Sequence, residues 1–272
     1  MWLRALILAG MVAGCNSPGF RAGAQDIGPM VARPATGPQL PSRLRSDISA
    51  ERPARILVIG DSLADGFGMF LKNRVDRVLP HAEIINRGKT STGLARRDFY
   101  DWPAQFAVFA SEYRPDIVVA HFGANDMQTV MGDATRTVYG TAEWDAAYLR
   151  EIRKVIAVAQ AAGVPLYWIG PAPDSHSGLN AHLRHVNPLF AAAAQEAGAI
   201  YFPLSPLVAG HEGEFVQTVK IEDQNVTVRS GDGSHFTGAG YTLIADNLLA
   251  DMAKRFPPLT GQQSPLRILA LQ

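Results

Sequence analysis

The sequence predicts an α/β three-layer sandwich: a central, mostly parallel sheet of five strands between layers of helices, with a small β-hairpin inserted late. Three observations predict it. Short, β-branched apolar runs recur between about residue 55 and residue 202, helical stripes of period three to four separate them, and residues 215–229 alternate more like an antiparallel hairpin.

The first run, Arg55–Ile59, ends at Gly60 and reads as a buried parallel strand. Phe67, Leu71, Val75 and Val78 then share one helical face, predicting a single helix that stops before Pro80. Glu83–Ile85 is the second strand, and a helix follows Pro103. Asp116–Phe122 is the third strand. The helix from Ala142 to Ala162 carries Trp144, Tyr148, Ile152 and Val155 on one side. Leu166–Ile169 and Ala199–Phe202 complete the five, with a helix around Pro188 to Ala197 between them. The alternating stretch Phe215–Arg229 is the hairpin, and Tyr241, Ile244, Leu248 and Met252 are the buried side of the last helix.

The ends differ in kind. Residues 1–15 (MWLRALILAGMVAGC) place Arg4 before an apolar run of about ten residues and then small residues, a secretory signal pattern. The run is shorter than the roughly 20 residues that a bilayer span needs. Val12-Ala13-Gly14-Cys15 resembles the bacterial lipobox, so Cys15, the single cysteine of the chain, is expected to be lipidated. Asn16 rather than Asp follows it, which favours the outer membrane facing the periplasm; a soluble periplasmic or secreted protein is the alternative. Residues 16–50 hold Pro18, Pro29, Pro34, Pro38 and Pro41 among small residues and read as a tether with a reach of about 30–35 Å. The domain is assigned to 51–257 and an irregular tail to 258–272.

The chain has 272 residues, with 25 basic and 25 acidic side chains that cancel. A neutral balance argues against nucleic acid as a partner, and a lone cysteine excludes an internal disulfide or a multi-cysteine metal site.

In parallel sheets ligands bind beyond the carboxyl ends of the strands. Three polar segments fall there or nearby. Gly60-Asp61-Ser62-Leu63 joins the first strand to the first helix, Gly123-Ala124-Asn125-Asp126 follows the third strand, and Asp232-Gly233-Ser234-His235 precedes the last helix. In this order they resemble blocks I, III and V of the SGNH (GDSL) hydrolase superfamily, over roughly residues 53–257. Ser91-Thr92-Gly93-Leu94, Asp101-Trp102-Pro103 and Gly123–Gln128 further resemble an envelope branch of that superfamily catalogued as a domain of unknown function.

The resemblance implies a flavodoxin-like fold and a serine esterase without metal or cofactor. It implies Ser62 as nucleophile, His235 as base and Asp232 as the group that orients the imidazole. The oxyanion hole would comprise the Ser62 N–H, the Ser91 N–H and the Asn125 amide. Block II departs from the family pattern: five residues after Asn86, where the family has glycine, stands Ser91. A backbone donor needs only a non-proline residue, so Ser91 is carried over, with Gly88 as the alternative.

Other polar residues have structural readings. Asp61 and Asp126 would fix loops, His121 would be a satisfied core residue, and Trp144 and Trp168 would be core. His182 and His185, one turn apart, suggest a polar helix face rather than a metal site. Trp102 and the pair Arg96-Arg97 would line a cleft.

The leading function is hydrolysis of an acyl ester, such as an O-acetyl group on an envelope carbohydrate, with membrane attachment through the lipid. An acyltransferase using the same triad, and a non-catalytic envelope-binding lipoprotein, are the alternatives.

Overall fold

The computed structural model describes residues 38–132 and 135–261. Cys15, the signal-like segment and most of the proline-rich stretch lie outside the described residues, as does the tail from 262 onward.

Within them, β1 (Ala54–Gly60) runs into α1 (Ser62–Lys72) and the single turn α2 (Val75–Val78); β2 (Ala82–Gly88) and α3 (Trp102–Tyr113) follow. Next come β3 (Ile117–His121), a two-residue pair β4 (Val130–Met131) and β5 (Arg136–Thr137), and α4 (Ala142–Ala162). Then β6 (Leu166–Gly170), α5 (Ser177–Ala197), β7 (Ile200–Pro203) and the turn α6 (Ser205–Val208) lead to the hairpin β8 (Thr218–Ile221) and β9 (Gln224–Thr227). The last helix is α7 (Gly238–Arg255). The five long-range strands form one sheet in the order β2-β1-β3-β6-β7, every pair parallel. This is a flavodoxin-like α/β architecture with a small antiparallel hairpin.

Alternation along the strands decides which helices lie on which face. Ile56, Val58, Ile117, Val119, Tyr167 and Ile169 point to a core shared with α1 and α7. Their neighbours Leu57, Ile59, Val118, Ala120, Leu166 and Trp168 point to the other core, closed by α3, α4 and α5. Side chains of successive strand residues alternate between faces, so two-sided burial requires the continuous apolar runs seen in the sequence.

Two helices differ from expectation. The single helix expected through Val78 breaks after Lys72, where Arg74 makes a bidentate ion pair with Asp246 on α7. Val75 stays buried on the far side of the break, so the apolar stripe persists although the helix does not. The helix expected from Pro188 begins eleven residues earlier, at Ser177, and carries Pro188 in its interior. Burial of His182, Leu183, Val186 and Phe190 outweighs the lost proline donor.

The chain is fastened to the domain well before β1. The Gln160 amide donates to the Pro38 carbonyl, Leu40 N donates to the Ala197 carbonyl at 2.9 Å, and the Leu40 side chain is buried. Arg45 then bonds Asp116 at 2.8 Å. At the other end Leu259 is buried and its carbonyl accepts from His81 N at 3.0 Å. Among the described residues no helix is long and apolar enough to cross a membrane.

Candidate active site

The site is built where β1 stops. Gly60 has φ 132°, and a Cβ there would sit 1.9 Å from the His121 carbonyl oxygen, so only glycine lets β1 turn against β3. Asp61 comes next, fully buried, and caps α1: its Oδ1 accepts from Leu63 N at 3.0 Å and Ala64 N at 3.3 Å. The same oxygen lies 3.0 Å from His121 Nδ1. Asp61 therefore fixes both the loop and the neighbouring strand, and His121 is a core histidine but only half satisfied: its buried Nε2 has no hydrogen-bond partner among the described residues. Ser62 is left as the first residue of α1, where the helix dipole favours negative charge.

The loop before α7 reaches Ser62 from the other side. His235 Nε2 lies 2.9 Å from Ser62 Oγ, and His235 Nδ1 lies 2.7 Å from Asp232 Oδ2. A carboxylate only accepts, so Nδ1 carries the hydrogen and Nε2 is the acceptor facing the hydroxyl. Asp232 is held by its own loop: Oδ1 accepts from Ser230 Oγ at 2.6 Å, His235 N at 2.9 Å and Ser234 N at 3.0 Å. Partial burial works to raise this carboxyl's pKa, but the bonds from Ser230 and His235 outweigh it and hold the group well below the usual carboxylate range. Asp232 thus remains an anion opposite the imidazole. Thr237 caps α7 through Gly240 N at 3.1 Å, which anchors the loop two residues beyond His235.

Block II and block III meet through Thr92. Ser91 has φ 60°, a left-handed conformation that favours glycine, at the position where the family pattern has one. The Asn125 amide donates to the Thr92 carbonyl at 2.9 Å, which occupies one of its two N–H groups and fixes the direction of the other. Thr92 in turn is pinned by its hydroxyl, which donates to the Lys89 carbonyl at 2.6 Å and accepts from Trp102 Nε1 at 2.9 Å. Gly88 serves packing instead. A Cβ there would lie 2.4 Å from Asp65 N, so its lack of a side chain allows β2 to pass close against α1.

Beneath this loop Asp126 is wholly buried. Its Oδ1 accepts from Ala95 N at 2.8 Å and its Oδ2 from the Tyr148 hydroxyl at 2.7 Å. Burial pushes this carboxyl up to about 6 despite those bonds. His182 on α5 lies 3.2 Å from the Gly123 carbonyl through Nε2 and 3.1 Å from the Tyr139 hydroxyl through Nδ1. Burial lowers it to about 4, so Nε2–H donates to the Gly123 carbonyl from a neutral ring.

Several sequence expectations change here. His182 is not on a polar face; only His185 is, paired with Asp145 at 2.7 Å. Trp102 lines no cleft but is fully buried, whereas Arg96 and Arg97 pair with Asp98 and Asp101. Thr92, Tyr148 and His182 tie the Asn125 loop down, a role that the sequence does not signal beyond the apolar stripe in which Tyr148 sits. Among the described residues no cluster of three His, Cys, Asp or Glu could hold a metal ion.

A family model described as "Protein of unknown function (DUF459)" matches residues 55–251. No curated protein sequence matches the chain. Among solved structures, the fold is similar to a GDSL-like lipase from Bacteroides thetaiotaomicron, with TM-score 0.54 and 17% identity over 78% of this chain and 92% of that one. A carbohydrate acetylesterase family member from Sinorhizobium meliloti gives 0.54 and 14% over 77% and 100%. The aryl esterase of M. smegmatis gives 0.53 and 14% over 75% and 100%. At such identities the likeness is one of fold.

Proposed function

We propose that this chain, which belongs to the DUF459 family and has the fold of the SGNH hydrolases, is a serine esterase that removes acyl groups, O-acetyl in the first instance, from a cell-envelope carbohydrate. The observation that carries the reading is the continuous relay from Asp232 through His235 to Ser62, at 2.7 and 2.9 Å, beside the left-handed Ser91 and the oriented Asn125 amide.

In this mechanism Ser62 Oγ attacks the ester carbonyl while its proton passes to His235 Nε2. The carbonyl oxygen becomes an anion that the Ser62 and Ser91 N–H groups and the free Asn125 N–H stabilise. Collapse breaks the C–O bond to the alcohol, which leaves with the proton from His235, and an acyl-Ser62 ester remains. Water, deprotonated by the same imidazole, then releases the acid and restores Ser62. Asp232 keeps its charge throughout and stabilises the imidazolium. His235 and Asp232 side chains are 43% and 52% exposed, which gives water ready access to the second step. Location at the envelope follows from the expected lipid anchor on Cys15, which is proposed on sequence alone.

The test is hydrolysis of p-nitrophenyl acetate and of O-acetylated polysaccharide by the full chain, with free sugars added as competing acceptors, and labelling of Ser62 by a fluorophosphonate. Acetate release with label on Ser62 supports the reading. A folded protein that neither hydrolyses these esters nor takes the label overturns it, and product acetylated on the added sugar turns it to transfer. Palmitate incorporation in wild type, lost in Cys15→Ala, tests the anchor.

A further inference from the structure

A second carboxylate–imidazole pair borders the site, and the esterase mechanism does not use it. Asp174 lies in the loop after β6, and its side chain is 3% exposed. Its Oδ1 accepts from His176 N at 2.8 Å and lies 2.9 Å from His176 Nδ1, while its Oδ2 accepts from Ser234 Oγ at 2.5 Å. Its own N–H donates to Asn180 Oδ1 at 3.0 Å, so the residue is fixed from three elements. The His176 side chain, by contrast, is 66% exposed, and among the described residues Nε2 has no hydrogen-bond partner. His176 is also the N-cap residue of α5, yet its side chain does not cap that helix.

The loop is locked to the catalytic loop. Ser175 N donates to the Gly233 carbonyl at 3.3 Å, the buried Arg229 donates to the Pro173 carbonyl, and Ser234, which carries the bond to Asp174, directly precedes His235. A small cavity lined by Leu63, Ala124, Asp174 and Ser234 joins this loop to the neighbours of Ser62 and Asn125.

We infer that His176 recognises the alcohol part of the ester. Its Nδ1–H donates to Asp174, which leaves Nε2 as a fixed acceptor facing solvent beside the catalytic loop, suited to take a hydrogen bond from a free hydroxyl. The substrate class this selects is an ester of a sugar or polyol that keeps unacylated hydroxyl groups. The inference rests on the esterase reading above. Asp174 also faces the charge of the buried Arg229 and accepts from Ser234, so the carboxylate that orients the exposed ring is itself held in place.

The experiment compares kcat/KM for a methyl glycoside monoacetate with kcat/KM for p-nitrophenyl acetate, which has no leaving-group hydroxyl, in wild type, His176→Ala and His176→Gln. The ratio of the two values should fall about tenfold in His176→Ala, through KM, and recover in part in His176→Gln, whose amide oxygen reaches the same place. A ratio unchanged in His176→Ala, while wild type cleaves both esters, overturns this inference and leaves the esterase reading standing. Equal losses on both esters also overturn it, since a structural role moves both alike. A folded wild type that cleaves neither removes the esterase reading and this inference together.

Discussion

The two sides of the candidate site are held in opposite ways. The base side is local and wet: Asp232 and His235 are three residues apart, half exposed, and fixed by Ser230 and Ser234 within the same turn. The opposite side is held from a distance and its supports are dry, although Ser91 itself is exposed and Asn125 half-buried. Asn125 is oriented through Thr92, 33 residues away, and Thr92 through buried Trp102. Asp126, Tyr148 and His182 hold the same loop from below. A base must rotate slightly and exchange protons with solvent, whereas donors aimed at a transient anion are effective only when reorganisation is prevented in advance.

The comparison breaks most decisively at the triad. Ser62→Ala and His235→Ala should each lower kcat by several orders of magnitude, roughly 10⁴ to 10⁶, and the double variant should be little worse, because the two act as one unit. Steady-state rates with circular dichroism on all three decide it; a folded Ser62→Ala with near-normal turnover defeats the mechanism. Next, Asn125→Ala should lower kcat by about 10²–10³ with KM nearly constant, since the donor is used in the transition state. A loss expressed in KM instead would make the amide a ground-state contact.

A pH measurement sharpens the dry side. Burial keeps His182 neutral down to about 4, below its ordinary 6.5. Between those values the unfolded chain takes up a proton that the folded one refuses, so stability falls as pH drops through that window. His182→Gln retains a donor for Gly123 and cannot titrate, so its urea midpoint should decline less between pH 7 and 4.5 than that of wild type. Equal declines would show that His182 is not held neutral. The smallest effect is expected at Ser91: Ser91→Ala should leave kcat within about twofold, since only the backbone N–H is invoked, and Ser91→Gly should raise stability by about 1 kcal/mol by removing left-handed strain. A large rate loss in Ser91→Ala would mean that its hydroxyl takes part.

The same contrast explains what could be read from the sequence. The strands show themselves because burial on both faces demands unbroken apolar runs, whereas Asp232 and His235 are picked out by the family resemblance, with which their three-residue spacing agrees. Ser91 was recognisable only by its place in a family pattern, since nothing in a serine announces a positive φ. The supports of Asn125 are hidden: Tyr148 looks like any core aromatic and Trp102 reads as a cleft residue, until the fold brings Thr92 and Asp126 to their polar tips. Arg74 and Asp246, which divide the first helix, are 172 residues apart and equally silent.

The place where the chain joins the domain gives the molecule a front and a back. Pro38 and Leu40 are bound by Gln160 and Ala197, in the last turns of α4 and α5, and those helices lead into the starting ends of β6 and β7. Ser62, Asn125 and His176 all follow the finishing ends of their strands. The described chain therefore enters the domain at the pole opposite the rim that carries Ser62, Asn125 and His176.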